Sequence, residues 1–140
     1  MLLHLIVRGK IGKSPEAELV DRYLKRIPWP VKVTELPDVG GVLPPADGKA
    51  ITVVLDEKGK ALASADFAAR LDGWRDQGRR EVRFLIGAAD GHDAATRGEA
   101  DLLLSFGPAT WPHMMARAML VEQLYRAISI LANHPYHRDG

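Results

Sequence analysis

Two periods of apolar spacing alternate along the chain. Residues 2–7 form a short apolar run that stops at Gly9, the pattern of a buried strand. A helix is predicted to follow. Ser14 suits its N-cap, Pro15 its first position and Glu16 its positive end, while Leu19, Val20, Tyr23, Leu24 and Ile27 supply one apolar stripe. Pro28 and Pro30 end it. Residues 31–36 alternate as a half-exposed strand does, and residues 37–48 are rich in Pro and Gly and read as a loop within one domain.

The second half repeats the alternation. Residues 50–55 are a fully apolar strand running into a polar turn at Asp56-Glu57-Lys58-Gly59-Lys60. Ser64 is then expected to cap a helix through Phe67, Leu71 and Trp74 that ends near Gly78. Residues 81–86 give another strand, Asp93 caps a short helix over 94–100, residues 102–106 form a further strand, and the last helix spans 113–132. Strands separated by helices predict an α/β fold whose sheet is mostly parallel and covered on both faces. The last helix is apolar nearly all round, from Met114 to Leu131, and must be buried on more than one side. A second copy of the chain, in a two-fold homodimer, or a central place in the core would each satisfy it.

At 140 residues, 46% hydrophobic and 26% charged, the chain has the size and balance of one globular domain, residues 1–140, and not of a disordered segment. It has no cysteine, so thiolate metal ligands and disulfides are excluded and a cytoplasmic setting is expected. The apolar start lacks a basic leader, and no apolar run approaches the roughly 18–20 residues of a membrane span. Net charge is only +1, so any attraction to nucleic acid must be local. Basic residues do cluster at Arg8/Lys10/Lys13, Arg22/Lys25/Arg26, Arg79/Arg80/Arg83 and in the tail, where a solvated face is the plainer account of each.

Ligands of an open α/β sheet bind beyond the carboxyl ends of its strands. Three loops are expected there: 55–60, Gly87-Ala88-Ala89-Asp90-Gly91, and 105–113. Gly87 lets the backbone approach a ligand, although a plain strand-to-helix turn looks the same and the spacing fits neither a dinucleotide fingerprint nor a Walker loop. Thr110-Trp111-Pro112-His113 sets apolar surface beside free backbone groups at a helix start, which suits a stacked purine and equally a buried helix start. In the tail, Tyr136 and His137 can stack on an unpaired base, and Arg138 can hold phosphate, although such termini are usually frayed. Arg126 either contacts phosphate or substrate, or pairs with Glu122 four residues earlier. No spacing resembles a metal site or a hydrolase triad.

In this order and at these distances the blocks Val7-Arg-Gly-Lys10, Leu55-Asp56 with Gly59-Lys60, Phe84-Leu-Ile-Gly87 with Gly91, Trp111-Pro-His113, and Glu122-Gln-Leu-Tyr-Arg126-Ala127 with Tyr136-His137-Arg138 resemble a known family. It is the SPOUT-class ribosomal RNA large subunit methyltransferase H family, whose members methylate N3 of a pseudouridine. The resemblance implies a C-terminal trefoil knot, an obligate homodimer, and S-adenosylmethionine held by Leu55, Gly87 and the stretch Phe106, Gly107, Pro108, Ala109, Thr110 and Trp111. It departs at Ala88, where the family usually has a second glycine, and in a short 37–50 loop.

Pseudouridine N3 carries a proton at neutral pH, so transfer to it needs a base and a charge that favours proton loss. His137 and His113 are the candidate bases, with Arg126 and Arg138 stabilising the developing negative charge, and the tail of one subunit is expected to close over the partner's cofactor. Large-subunit rRNA within assembled ribosomes is the expected substrate. A second reading, a non-catalytic ribosome or RNA binder of the same fold, rests on Ala88 alone.

Overall fold

The computed structural model describes residues 1–46, 48–87 and 92–139. Five strands, β1 (Leu2–Arg8), β2 (Val31–Leu36), β3 (Ile51–Ala61), β4 (Glu81–Ile86) and β5 (Leu102–Ser105), form one sheet in the order β2-β1-β4-β3-β5, and every neighbouring pair is parallel. The helices are α1 (Pro15–Arg26), α2 (Ser64–Asp76), α3 (Ala94–Gly98) and α4 (His113–Leu131), followed by a 3₁₀ turn at Pro135–Asp139.

The right-handed crossover rule places the connections. β1 to β2 and β3 to β4 step in one direction along the sheet, so α1 and α2 share a face, whereas β2 to β3 and β4 to β5 step the other way. Leu3, Leu5, Val7, Val53, Val82, Phe84, Ile86 and Leu104 accordingly line the face under α1, α2 and α4, forming the main core with Val20, Phe67, Leu71, Leu120, Val121 and Leu124. The opposite face carries a smaller core of Ile6, Val54 and Leu85, with Leu36, Ala100 and Leu103 against it. Arg8 straps the 37–46 loop by donating to the carbonyls of Pro37 and Gly40, and Arg83 does so by donating to that of Pro44.

Local signals act as expected in α1, where Ser14 Oγ accepts the Ala17 N–H at 3.0 Å, and in α3, where Asp93 accepts the Thr96 N–H at 2.7 Å. Two expectations need correction. Ser64 does not cap α2: the N-cap is Ala63, and Ser64 Oγ instead donates to Gln123 Oε1 on α4 at 2.7 Å. The polar stretch 56–60 does not end its strand either. Leu55 and Lys60 both pair with Leu104, so residues 56–59 make an excursion and β3 resumes opposite β5. Gly59 permits this, because a Cβ there would lie 2.7 Å from the carbonyl of Leu103.

α4 lies over the sheet and packs against both α1 and α2. Ala118, Leu120, Val121, Leu124, Ala127 and Ile128 are buried within the single chain. Its all-round apolarity is therefore largely met without a second copy, and Met115 is the large apolar side chain of α4 left exposed. Among the described residues no helix is long and apolar enough to cross a membrane.

Candidate functional site

Because all five strands are parallel, their carboxyl ends gather at one edge, and the direction of crossing reverses between β3-to-β4 and β4-to-β5. A cleft of about 680 Å³ opens there. Leu55, Ile86, Gly87 and Leu104 form its strand-end floor, and Phe106, Ala109, Thr110, Trp111 and Pro112 form the wall leading into α4. Hydrogen bonds hold that wall. Ser105 Oγ accepts the Gly107 N–H at 3.0 Å, Trp111 Nε1 donates to the Phe106 carbonyl at 3.3 Å, and Thr110 Oγ1 donates to Glu57 Oε2 at 2.6 Å. Gly107 has φ +102°, a conformation open to glycine, and this turns the chain sharply after β5.

The opposite rim is charged. Asp56, Glu57 and Lys58 line it from the β3 excursion, and His92 and Arg97 from the β4–β5 connection. Asp56 accepts the Lys58 N–H at 2.9 Å and faces Arg97 at 3.7 Å. Burial holds the His92 imidazole below its ordinary value, against the pull of the Asp56 carboxylate and the Leu85 and Leu55 carbonyls. Its Nε2 is buried and has no hydrogen-bond partner among the described residues. Its neighbours 88–91, including Ala88 and Gly91, lie outside the described residues.

His113, the first residue of α4, also lines the cleft. One helical turn on, Arg117 is 2% exposed and donates to Glu35 Oε2 at 2.6 Å and to the Gly9 carbonyl at 3.0 Å. Glu35 also accepts the Ile11 N–H at 2.9 Å. Burial raises the Glu35 carboxyl, but the hydrogen bonds from Arg117 and Ile11 outweigh it and leave the group below its ordinary value.

The other charged candidates sit elsewhere. Arg126 is thirteen residues along α4 from His113, roughly 20 Å at ~1.5 Å per residue. It pairs with Glu122 at 2.7 Å and lies 5.0 Å from the centroid of the Tyr136 ring. Tyr136 folds back onto α4, with its ring 4.6 Å from Tyr125 and its hydroxyl 3.1 Å from Glu122 Oε1 and 3.2 Å from the Tyr23 hydroxyl. Burial, with the Tyr23 hydrogen bond and the Glu122 charge, raises the Tyr136 phenol well above its ordinary value.

The family described as "Predicted SPOUT methyltransferase" matches residues 1–137. The chain belongs to the SPOUT methyltransferase family. It is similar over its whole length, at 68% identity, to a Rhizorhabdus wittichii protein named ribosomal RNA large subunit methyltransferase H, which is itself covered in full. Proteins of the same name from Zymomonas mobilis and Roseobacter denitrificans are 58% and 46% identical, matching 100% and 99% of this chain and the whole of each relative. Among solved structures, a probable methylase family protein from Haemophilus influenzae Rd KW20 is alike in fold, with TM-score 0.57 over 98% of this chain and 69% of its own, at 8% identity.

Membership of this family implies a methyl donor, and the cleft assembles Leu55, Gly87, Phe106, Ala109, Thr110, Trp111 and His113 as the sequence anticipates. Gly107 and Pro108 shape the wall without lining it. Arg126, Tyr136, His137 and Arg138 are not brought to the same chain's cleft. Sequence reasoning missed His92 and Arg97 as site residues. They reach the cleft from a separate connection, and no spacing relates them to Leu55 or Trp111.

Proposed function

We propose that this protein transfers a methyl group from S-adenosylmethionine to N3 of a pseudouridine in large-subunit ribosomal RNA, acting in the cytoplasm as a homodimer on assembled ribosomes. The observation that carries this reading is the meeting of Leu55, Gly87 and the 106–112 wall around one cleft, in a chain that matches its relatives end to end. The residues fit the cofactor. The volume suits a nucleoside-sized ligand, Leu55, Phe106 and Trp111 offer apolar surface for a purine, and the Asp56 and Glu57 carboxylates suit a cationic group. Membership of the family implies that the last loop and helix are threaded as a trefoil knot.

When bound, the cofactor supplies a methyl group on a sulfonium sulfur, and that sulfur leaves as a neutral thioether. The chain's part is to orient the acceptor and move its proton. His113, at the cleft, would accept the N3 proton in cis, leaving the N3 lone pair free for the methyl group that the bound cofactor would supply. His137, Arg138 and Arg126 reach the reacting atoms from the partner subunit, whose Arg side chains stabilise the negative charge that develops on the base. Tyr136 anchors that tail and stacks on RNA only through whatever ring surface its neighbours leave.

The test is methylation by the purified dimer of free large-subunit RNA, isolated subunits and assembled ribosomes, with the modified nucleoside identified by mass spectrometry. N3-methylpseudouridine formed on ribosomes, and lost in a Gly87→Trp variant whose cleft is filled, is the expected result. Tight ribosome binding without methyl transfer or cofactor binding would replace this reading with the non-catalytic one.

A further inference from the structure

Arg117 is the one charged side chain of α4 buried from solvent. Its partner Glu35 is a third exposed, so the guanidinium alone bears the cost of burial, and a charge buried in an otherwise apolar helix points to a geometric task. Its partners define that task. One guanidinium nitrogen holds the Gly9 carbonyl, the other holds Glu35, and Glu35 in turn holds the Ile11 N–H. Three contacts thereby fix the Gly9–Ile11 turn, which leaves β1 at the same sheet edge as the cleft. Arg117 Nε has no partner and is buried, so the guanidinium is held by these two contacts alone among the described residues.

That turn lies beside His113. Gly9 has φ +85°, and a Cβ built on it would lie 3.5 Å from His113 Nε2, 3.2 Å from the Met114 methyl and 3.1 Å from Asp38 Oδ1. The positive φ favours glycine there, and any side chain would bring its Cβ into van der Waals contact with the imidazole. His113 and Arg117 are four residues apart on one side of α4, so the clamp and the ring it braces share a helix face.

We propose that Arg117 is a positioning residue for methyl transfer. Through Glu35 and the Gly9 carbonyl it holds the Gly9–Ile11 turn as a rigid back wall that sets the His113 ring at the cleft. The proposal rests on the reading of His113 as the group that takes the acceptor proton in cis. Arg117 itself touches neither cofactor nor acceptor.

The test uses the full-length dimer carrying carbon-13 histidine. The His113 ring resonance is assigned by its loss in His113→Gln. In Arg117→Met that resonance moves and broadens while those of the other four histidines hold. The turnover number falls about ten- to a hundredfold, the loss a misplaced group causes, while the calorimetric cofactor Kd stays within about twofold. Arg117→Lys, which keeps a charge to bind Glu35, recovers part of the rate. If Arg117→Met does not fold, Glu35→Gln, on a partly exposed residue, is read against the same expectations. An unmoved His113 resonance overturns the proposal, whether the rate is kept or falls together with stability. A parent enzyme that transfers no methyl group refutes the catalytic reading instead, and the resonance still reports whether the wall positions the ring.

Discussion

At its first turn α4 faces an open cleft, with Trp111 42% exposed just before it and His113 on the lining. Halfway along, the same helix is covered by its own tail, where Glu122 is bonded to Arg126, Gln123 and Tyr136. Both regions hold side chains rich in chemistry, and a cleft opens at the first. The second is tied together, with Arg126 paired to Glu122 and the Tyr136 hydroxyl bonded to Glu122 and Tyr23. Glu122, which holds Tyr136, lies nine residues along α4 from His113, roughly 14 Å at ~1.5 Å per residue. The proposed sharing of the site between two copies would bridge this separation.

Cutting the tail away would break the comparison most severely. A chain ending before His134 is expected to bind S-adenosylmethionine as the parent does but to lose roughly 10²–10⁴-fold in methyl transfer, the range of acid–base catalysis. Mixed dimers of that chain with Gly87→Trp should regain activity, because one intact cleft then meets one intact tail. Mixed dimers as inactive as their parents would show that the two ends of α4 do not cooperate across subunits.

A smaller effect is expected from Tyr136→Phe, which removes the hydroxyl between Glu122 and Tyr23 and keeps the ring. Denaturant unfolding at fixed protein concentration should show a loss of about 1 kcal/mol, with cofactor affinity unchanged. No loss would mean that the tail is held by ring packing alone.

The smallest concerns the cleft rim. The folded-state value of His92 lies below its ordinary 6.5, so the unfolded chain takes up a proton first as pH falls. The His92 contribution to stability is therefore fully present above about pH 6.5 and is lost progressively below it. Thermal melts between pH 5 and 8 should decline less steeply toward acid in His92→Leu than in the parent. Equal slopes would place His92 in water.

Much of this was legible in the residues. The α1 cap at Ser14, the short α3 cap at Asp93 and the apolar strands 2–7 and 81–86 follow from contacts within a few positions, where side chain and backbone decide locally. One wall of the cleft was legible too, since Thr110-Trp111-Pro112-His113 joins an aromatic, a helix start and free backbone groups in one stretch. Ser64 misled because its hydroxyl had a better partner in Gln123, fifty-nine positions away. The 56–60 stretch misled because its polar residues signal a turn, whereas pairing of Lys60 and Ala61 with β5 carries the strand on. His92, Arg97 and the Arg117–Glu35 clamp left no trace in local patterning, because their partners lie across the sheet edge.

The sequence by itself determined the number and kind of elements, the parallel sheet and the blocks that carry the family resemblance, because these depend on periodicity, caps and glycines read over a few residues. Only the tertiary structure decided that α4 finds most of its burial between α1 and α2, that the cleft has a charged rim as well as an aromatic wall, and that the tail folds back onto the middle of α4 and away from its own cleft. Those outcomes depend on which strand lies beside which and on the direction of each crossover, and separations of tens of residues are closed by packing that no local signal encodes.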